Sequence, residues 1–254
     1  MTEKTSERIA KRIARAGLCS RREAERWIEA GRVSVDGKLL ESPAVNVAPG
    51  AVVTVDGKPI PEADTTRLWR FHKPTGTLTT NRDPQGRPTI FDSLPDDLPR
   101  VVTVGRLDFN SEGLLLLTND GELARRLEHP ETGWRRRYRV RVYGRPDEDR
   151  LAELARGLTI DGVRYGPVEA RLEREKTSNA WLSISLTEGK NREVRRICEH
   201  IGLQVTRLIR VSFGPFQLGH LPRGEVSEVP KKALAEQLGS GGDRRGQRRA
   251  AHRR

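Results

Sequence analysis

Val101-Val102-Thr103-Val104-Gly105-Arg106-Leu107-Asp108-Phe109-Asn110-Ser111-Glu112-Gly113-Leu114-Leu115-Leu116-Leu117 is the stretch on which the reading of this chain turns. Two apolar runs, 101–104 and 114–117, flank a polar segment that holds an arginine and a carboxylate. Short apolar runs bounded by turn residues read as strands, so the stretch predicts strand, turn, strand. A carboxylate on a short turn between buried strands can be held rigidly with its charge aimed into a cleft. The neighbouring glycines let the backbone turn or let a ligand approach closely. The plain structural alternative is that Asp108 bonds its own backbone as an ordinary turn residue.

Downstream, the apolar runs at 138–143, 180–186 and 205–213 also read as strands, and 123–127, 151–158 and 194–201 read as helices. Strands and helices do not alternate regularly. The prediction is therefore an α+β domain with a mainly antiparallel mixed sheet rather than a doubly wound one. Upstream, residues 6–16 read as a helix, with Ile9 and Ile13 on one face and Gly17 as its stop. Ser20-Arg21-Arg22-Glu23 matches a capping box and opens a second helix through Trp27 and Ile28. Val33 and Val35 alternate before Asp36-Gly37, a favoured hairpin turn, and 51–55 forms another strand before a second Asp-Gly pair. The expected organisation is a small module of two helices plus strands over 1–60 and a linker over 58–66 that contains Pro59 and Pro61. A larger domain over 67–232 and a basic, disordered tail over 239–254 complete it.

Composition narrows the function class. Lys plus Arg outnumber Asp plus Glu by 47 to 35, a net charge of +12 that suits a polyanionic partner. The two cysteines, Cys19 and Cys198, are far apart and the five histidines are scattered, which argues against a disulfide framework or a metal site and fits a reducing cytoplasm. Neither a signal peptide nor a membrane span is read from the sequence. There is no phosphate-binding Gly-x-x-x-x-Gly-Lys-Ser/Thr loop and no Gly-x-Ser-x-Gly nucleophile elbow.

Arg8, Arg12 and Arg15 on the first helix, with Lys11 beside them, and Arg21, Arg22 and Arg26 on the second, follow helical spacing and can form a cationic face for RNA. The bland alternative is a solvated helix face, and Glu7, Glu23, Glu25 and Glu29 supply some interleaving. Arg8 to Ile28, followed by Gly31-Arg32-Val33-Ser34-Val35-Asp36-Gly37, resembles an S4 RNA-binding domain in its order of helix, cap, turn and strand. That resemblance implies docking on structured RNA.

The larger module resembles the ribosomal pseudouridine synthases of the RsuA/RluB kind over roughly 68–230. The resemblance rests on Lys73-Pro74-Thr75-Gly76, the block from Gly105 to Gly121, Arg136-Arg137-Tyr138 and the run from Glu188 to Arg196. His72 and Ser111 stand where the family commonly has asparagine and threonine. The resemblance implies that a uridine in ribosomal RNA is converted to its C-glycoside isomer without metal, nucleotide or redox cofactor. It puts Asp108 in the place of the catalytic carboxylate, Tyr138 against the uracil, and Arg195 as the cation that keeps the carboxylate ionised. Arg106 would meet a phosphate or fill the space of the flipped base, and Lys190 and Arg192 would hold the RNA backbone. Read from the residues alone, Tyr138 could simply pack in the core and Arg195 could pair with Glu199.

Within the family, the Asn110–Ala124 block and the ending Leu221-Pro222-Arg223-Gly224-Glu225-Val226 resemble the large-subunit type most closely. The expectation is a cytoplasmic monomer acting on 23S ribosomal RNA, free or within an assembling subunit. The alternatives are a 16S enzyme and a noncatalytic S4-domain binding or assembly factor.

Overall fold

The computed structural model describes residues 6–239; the basic tail lies outside them. The chain forms two compact units. The smaller comprises 6–66 together with 97–102 and 119–121, and the larger comprises the remaining described residues. No helix among the described residues is long and apolar enough to cross a membrane.

In the smaller unit, β1 (Glu7–Arg8) precedes α1 (Ile9–Arg15) and α2 (Arg21–Glu29). The expected first helix starts later than its apolar pattern suggests, because Glu7 and Arg8 are drawn into antiparallel pairing with β4 (Asn46–Val47). At α2 the Ser20 hydroxyl accepts from the Glu23 N–H at 3.2 Å, which is one arm of the expected capping box. β2 (Val33–Val35), β3 (Lys38–Leu39), β5 (Val53–Val55) and β6 (Lys58–Pro59) form a sheet in the order β3-β2-β5-β6. Asp36 and Gly37, and again Asp56 and Gly57, all have φ between 49° and 79°, the left-handed backbone that a tight Asp-Gly hairpin demands. The second hairpin corrects the start of the linker. Lys58 and Pro59 return as an edge strand, a place where the missing proline N–H costs nothing. Ile9, Ile13, Ala24, Ile28, Val33 and Val53 close a core beneath the helices.

The larger unit is built on a nine-stranded sheet of order β13-β14-β10-β15-β9-β7-β17, with β8 beside β9 and β16 beside β15. Its strands are β7 (Leu68–Lys73), β8 (Val102–Val104), β9 (Glu112–Thr118), β10 (Arg136–Tyr143), β13 (Glu169–Lys176), β14 (Asn179–Leu186), β15 (Gln204–Phe213), β16 (Phe216–Gln217) and β17 (Val226–Glu228). A separate hairpin pairs β11 (Leu158–Ile160) with β12 (Val163–Tyr165). The helices are α3 (Gly121–Glu128), α4 (Glu148–Glu153), α5 (Glu193–His200) and α6 (Lys231–Gly239). The α+β class and the mainly antiparallel mixed sheet are as expected. The helix read at 151–158 runs instead from Glu148 to Glu153 and ends in a 3-10 turn.

Every residue of β9 is buried, which is why its four leucines run without alternation. β9 and β15 pair in parallel through only two residue pairs, Ile209–Glu112 and Arg210–Gly113. Gly113 has φ +107°, and a Cβ there would stand 2.3 Å from the Arg210 carbonyl oxygen, so only glycine allows this seam to close. The polar turn between β8 and β9 is delivered at that seam.

Candidate active site and RNA-binding surfaces

The turn from Gly105 to Ser111 is pinned along its length by groups distant in sequence. The Gly105 N–H donates to a Glu128 carboxylate oxygen at 2.5 Å. Five consecutive carbonyls then find donors. Leu107 accepts from the Thr79 hydroxyl at 2.8 Å and Phe109 from the Gly76 N–H at 2.9 Å. Asn110 accepts from the Arg195 guanidinium at 2.9 Å. Asp108 and Ser111 both accept from Lys73 Nζ, at 3.2 and 2.9 Å, and Asp108 also takes the Ser111 N–H at 3.0 Å.

With its backbone held this way, the half-exposed Asp108 keeps its carboxylate uncommitted. Among the described residues it accepts no hydrogen bond and makes no ion pair. A turn aspartate placed for structure would spend that carboxylate on nearby N–H groups. The plain alternative for Asp108 therefore does not describe this turn.

Lys73 is the residue that sequence reasoning quoted but left without a role. It is fully buried at the end of β7, and Nζ donates to three carbonyls, the third being Pro74 at 3.0 Å. Burial pulls the Lys73 ammonium down to about 8, opposed by the charges of Asp108 and Glu112. Three acceptors match the three protons of an ammonium, so the charged form is the one that fits the turn. The available signal was a lysine in register with Trp69 and Phe71, on the alternate positions that β7 buries.

Asp108 opens into a cleft of about 890 Å³, a size suited to a nucleotide-sized ligand. Arg106, Tyr138, Lys190, Arg192 and Glu193 also line it. Tyr138 is buried at 8% exposure but presents its ring to the cleft, on the face of β10 shared with Arg136. Arg136 and Arg210, neither of them predicted, stand on adjacent strands around it. Arg210 is 3% exposed and donates Nε to the Leu114 carbonyl at 2.7 Å, with a second guanidinium nitrogen buried and without a hydrogen-bond partner among the described residues. Arg136 donates to the Thr187 carbonyl at 2.6 Å, and its burial lowers its pKa. Glu193 receives the Lys190 N–H at 2.8 Å, and burial, as the largest cause, raises its pKa.

The structure does not bring every predicted site residue to the cleft in the same way. Arg195 is buried behind the turn, held to Asn110, and its charge senses Asp108 without an ion pair. It makes no ion pair with Glu199 either. Arg192 is exposed, with φ +51° at the start of α5, a strained backbone for a non-glycine residue. Lys190 is exposed but engaged, donating to the Arg164 carbonyl at 2.7 Å and to Glu188. Arg106 is exposed in the cleft.

In the smaller unit the two helices differ. Lys11 pairs with Glu7 at 3.2 Å. Arg12 donates to the carbonyls of Ala48 and Ala51 at 3.0 and 3.2 Å. Arg15 pairs with Asp120 at 3.2 Å. Arg21, Arg22 and Arg26 on α2 are exposed and have no ion pair among the described residues.

Comparison with known proteins adds independent findings. Residues 67–200 match the RNA pseudouridylate synthase family and residues 7–53 match the S4 domain. An RNA pseudouridine synthase of Rickettsia prowazekii is 47% identical over 231 residues, covering 91% of this chain and 97% of that protein. Ribosomal large subunit pseudouridine synthase B of Salmonella typhi is 46% identical over 231 residues, covering 88% of this chain and 79% of that protein. A crystal structure of a pseudouridylate synthase superposes with a TM-score of 0.63 at 25% identity, covering 90% of this chain and 98% of that one.

Proposed function

This chain belongs to the RNA pseudouridylate synthase family, and we propose that it isomerises a uridine of large-subunit ribosomal RNA to pseudouridine, with Asp108 as the reacting carboxylate. One observation carries the assignment of Asp108. Its carboxylate is unbonded on a turn whose five consecutive carbonyls are all engaged. Such a group is oriented before substrate arrives and loses no internal hydrogen bond when it meets developing charge.

The chemistry is an isomerisation. The bond from uracil N1 to the sugar C1′ breaks, the base turns, C5 bonds to C1′, and the proton on C5 leaves while one returns to N1. Nothing is oxidised and no group is gained or lost. Asp108 faces the sugar carbon as nucleophile or as the anion that offsets its charge. Tyr138 offers a ring face to the uracil and a hydroxyl near the proton in transit. Lys73 and Arg195 act through the backbone of the turn. Cys19 and Cys198 are poor rivals as nucleophiles: burial pushes their thiols up to about 11 and about 12.

The target base must leave its stack, which costs a few kcal/mol. In this reading Arg106 takes a phosphate or the vacated space beside the flipped nucleotide, and Lys190 and Arg192 hold the backbone. Arg21, Arg22 and Arg26 supply the grip of the S4 unit, with Lys11, Arg12 and Arg15 mainly shaping it. Two buried, unpaired cysteines are in keeping with a cytoplasmic enzyme.

The test incubates the protein with unmodified large- and small-subunit ribosomal RNAs separately and maps pseudouridine. Product in the large-subunit RNA is expected. Product confined to small-subunit RNA would reassign the substrate, and no product in either would favour a binding factor over an enzyme.

A further inference from the structure

The sheet that carries the cleft has a second face. On β10, Arg136 and Tyr138 line the cleft, so by strand alternation Arg137, Arg139 and Arg141 point the opposite way, and all three are exposed. That face holds a hollow of about 420 Å³, lined by Arg135, Arg137, Arg171, Ser183, Ser185 and Ser212 around Glu169. Arg137 stands opposite Ser185 on β14 and Ser212 on β15, and Arg171 stands opposite Ser183.

Cations outnumber carboxylates on this face. Glu169 is engaged by Arg135 at 2.7 Å, and Glu173 by Arg139 at 2.8 Å. That leaves Arg137, Arg141 and Arg171 without an ion pair among the described residues. Arg137 makes one long bond, to the Gln217 side chain at 3.2 Å. Ser185 and Ser212 are 9% and 6% exposed, yet their hydroxyls find no protein partner among the described residues. Guanidinium forks above open hydroxyls are the donor set that a phosphate group takes.

The strip also runs on past the hollow. Alternate residues of a strand repeat at roughly 7 Å, so Arg137, Arg139 and Arg141 form a cationic row rather than a point. Arg139 and Arg207 lie over the Trp181 ring at 4.6 and 5.9 Å, each with its charge met by a carboxylate, Glu173 and Glu112, so the open cations of the row are Arg137 and Arg141. A row of this kind matches a chain of phosphates better than a single small anion.

We propose that the sheet face opposite the cleft is a second RNA-backbone site, where Arg137, Arg141 and Arg171 hold phosphates of the substrate RNA outside the element that carries the target uridine. The proposal rests on the RNA-modifying reading above.

The experiment compares wild-type protein with R137Q/R141Q/R171Q on two RNAs. One is the hairpin carrying the mapped uridine, and the other is a longer ribosomal fragment with its flanking helices. For the long fragment the variant's affinity should fall about tenfold, and its slope of log affinity against log salt should shallow by about 2–3, as expected for three lost phosphate contacts. Hairpin affinity and turnover at saturation should not change. The charge-preserving R137K/R141K/R171K should keep the wild-type slope, which separates lost charge from a damaged sheet. Wild-type affinity and slope in the glutamine variant would overturn the proposal, and so would an equal loss on both RNAs. Were the wild type to bind both RNAs without forming pseudouridine, the catalytic reading would fail while the slopes still decided the second site.

Discussion

The turn at 105–111 and the helix α1 of the smaller unit both looked functional from the charges they carry, a carboxylate between two apolar runs in the one and cations at helical spacing in the other. They resolve in opposite ways. In the turn, the protein spends its donors on backbone carbonyls and leaves the Asp108 side chain unbonded. On α1, the charged side chains are themselves spent, on Glu7, on the Ala48 and Ala51 carbonyls, and on Asp120. A charged group is free to act on a ligand where its neighbours are satisfied without it. Spacing alone does not distinguish the two cases.

The largest effect that could break this contrast is at Asp108 itself. Asp108→Asn removes the charge and keeps the shape, so turnover should fall at least about a thousandfold while RNA affinity stays near wild type. Single-turnover product formation and a binding titration check both halves, and full activity would end the assignment.

Next comes the seam that presents the turn. Gly113→Ala places a methyl against the Arg210 backbone at a φ of +107°, which should destabilise the larger unit by about 3 kcal/mol in denaturant unfolding. A change within ~0.5 kcal/mol would mean the seam is looser than its geometry.

Lys73 sharpens the contrast, since it serves the turn only through carbonyls. Lys73→Met should cut turnover roughly tenfold or more and lower stability by about 1–3 kcal/mol, because buried acceptors lose their donor. Its titration gives a test of opposite signs. The folded value of about 8 lies below the free value of 10.5, so between them the unfolded chain binds the extra proton and this group adds stability as pH rises. Over the same window the neutral amine loses one of its three donors. Wild-type kcat/KM should therefore fall on passing pH 8 with the fold intact, and Lys73→Met should lack that limb. A pH profile flat to pH 9.5 would contradict it.

The smallest effects separate the two helices of the smaller unit. Arg22→Ala should shallow the salt dependence of RNA binding by about 0.7–0.9 with stability unchanged. Arg12→Ala should instead cost about 1 kcal/mol of stability and alter the slope less. Equal slopes for both would erase the distinction drawn here.

Much of the framework was legible from local pattern. The Asp-Gly pairs marked hairpins because few residues tolerate that backbone, and the runs at 114–117, 138–143 and 205–213 marked strands of the sheet. β13 was not legible: Glu169-Ala170-Arg171-Leu172-Glu173 carries two modest apolar residues among charges, the composition of a sheet edge. The site followed the same rule. Asp108 and Tyr138 were singled out through motif and position, and both line one cleft. Arg210 and the task of Lys73 were missed, because a buried cation gives no periodic signal of its own.

The sequence by itself determined the strand–turn–strand at 101–117, the helices and hairpins of the smaller unit, and the placing of Asp108 on a turn. These follow from backbone preference and apolar spacing within a few residues. Only the tertiary structure decided which charges remain available. The bonds that settle it join Lys73 to Ser111 and Arg195 to Asn110, 38 and 85 residues apart in the chain. Hydrogen-bond satisfaction is a property of what folding brings together, and no local pattern encodes it.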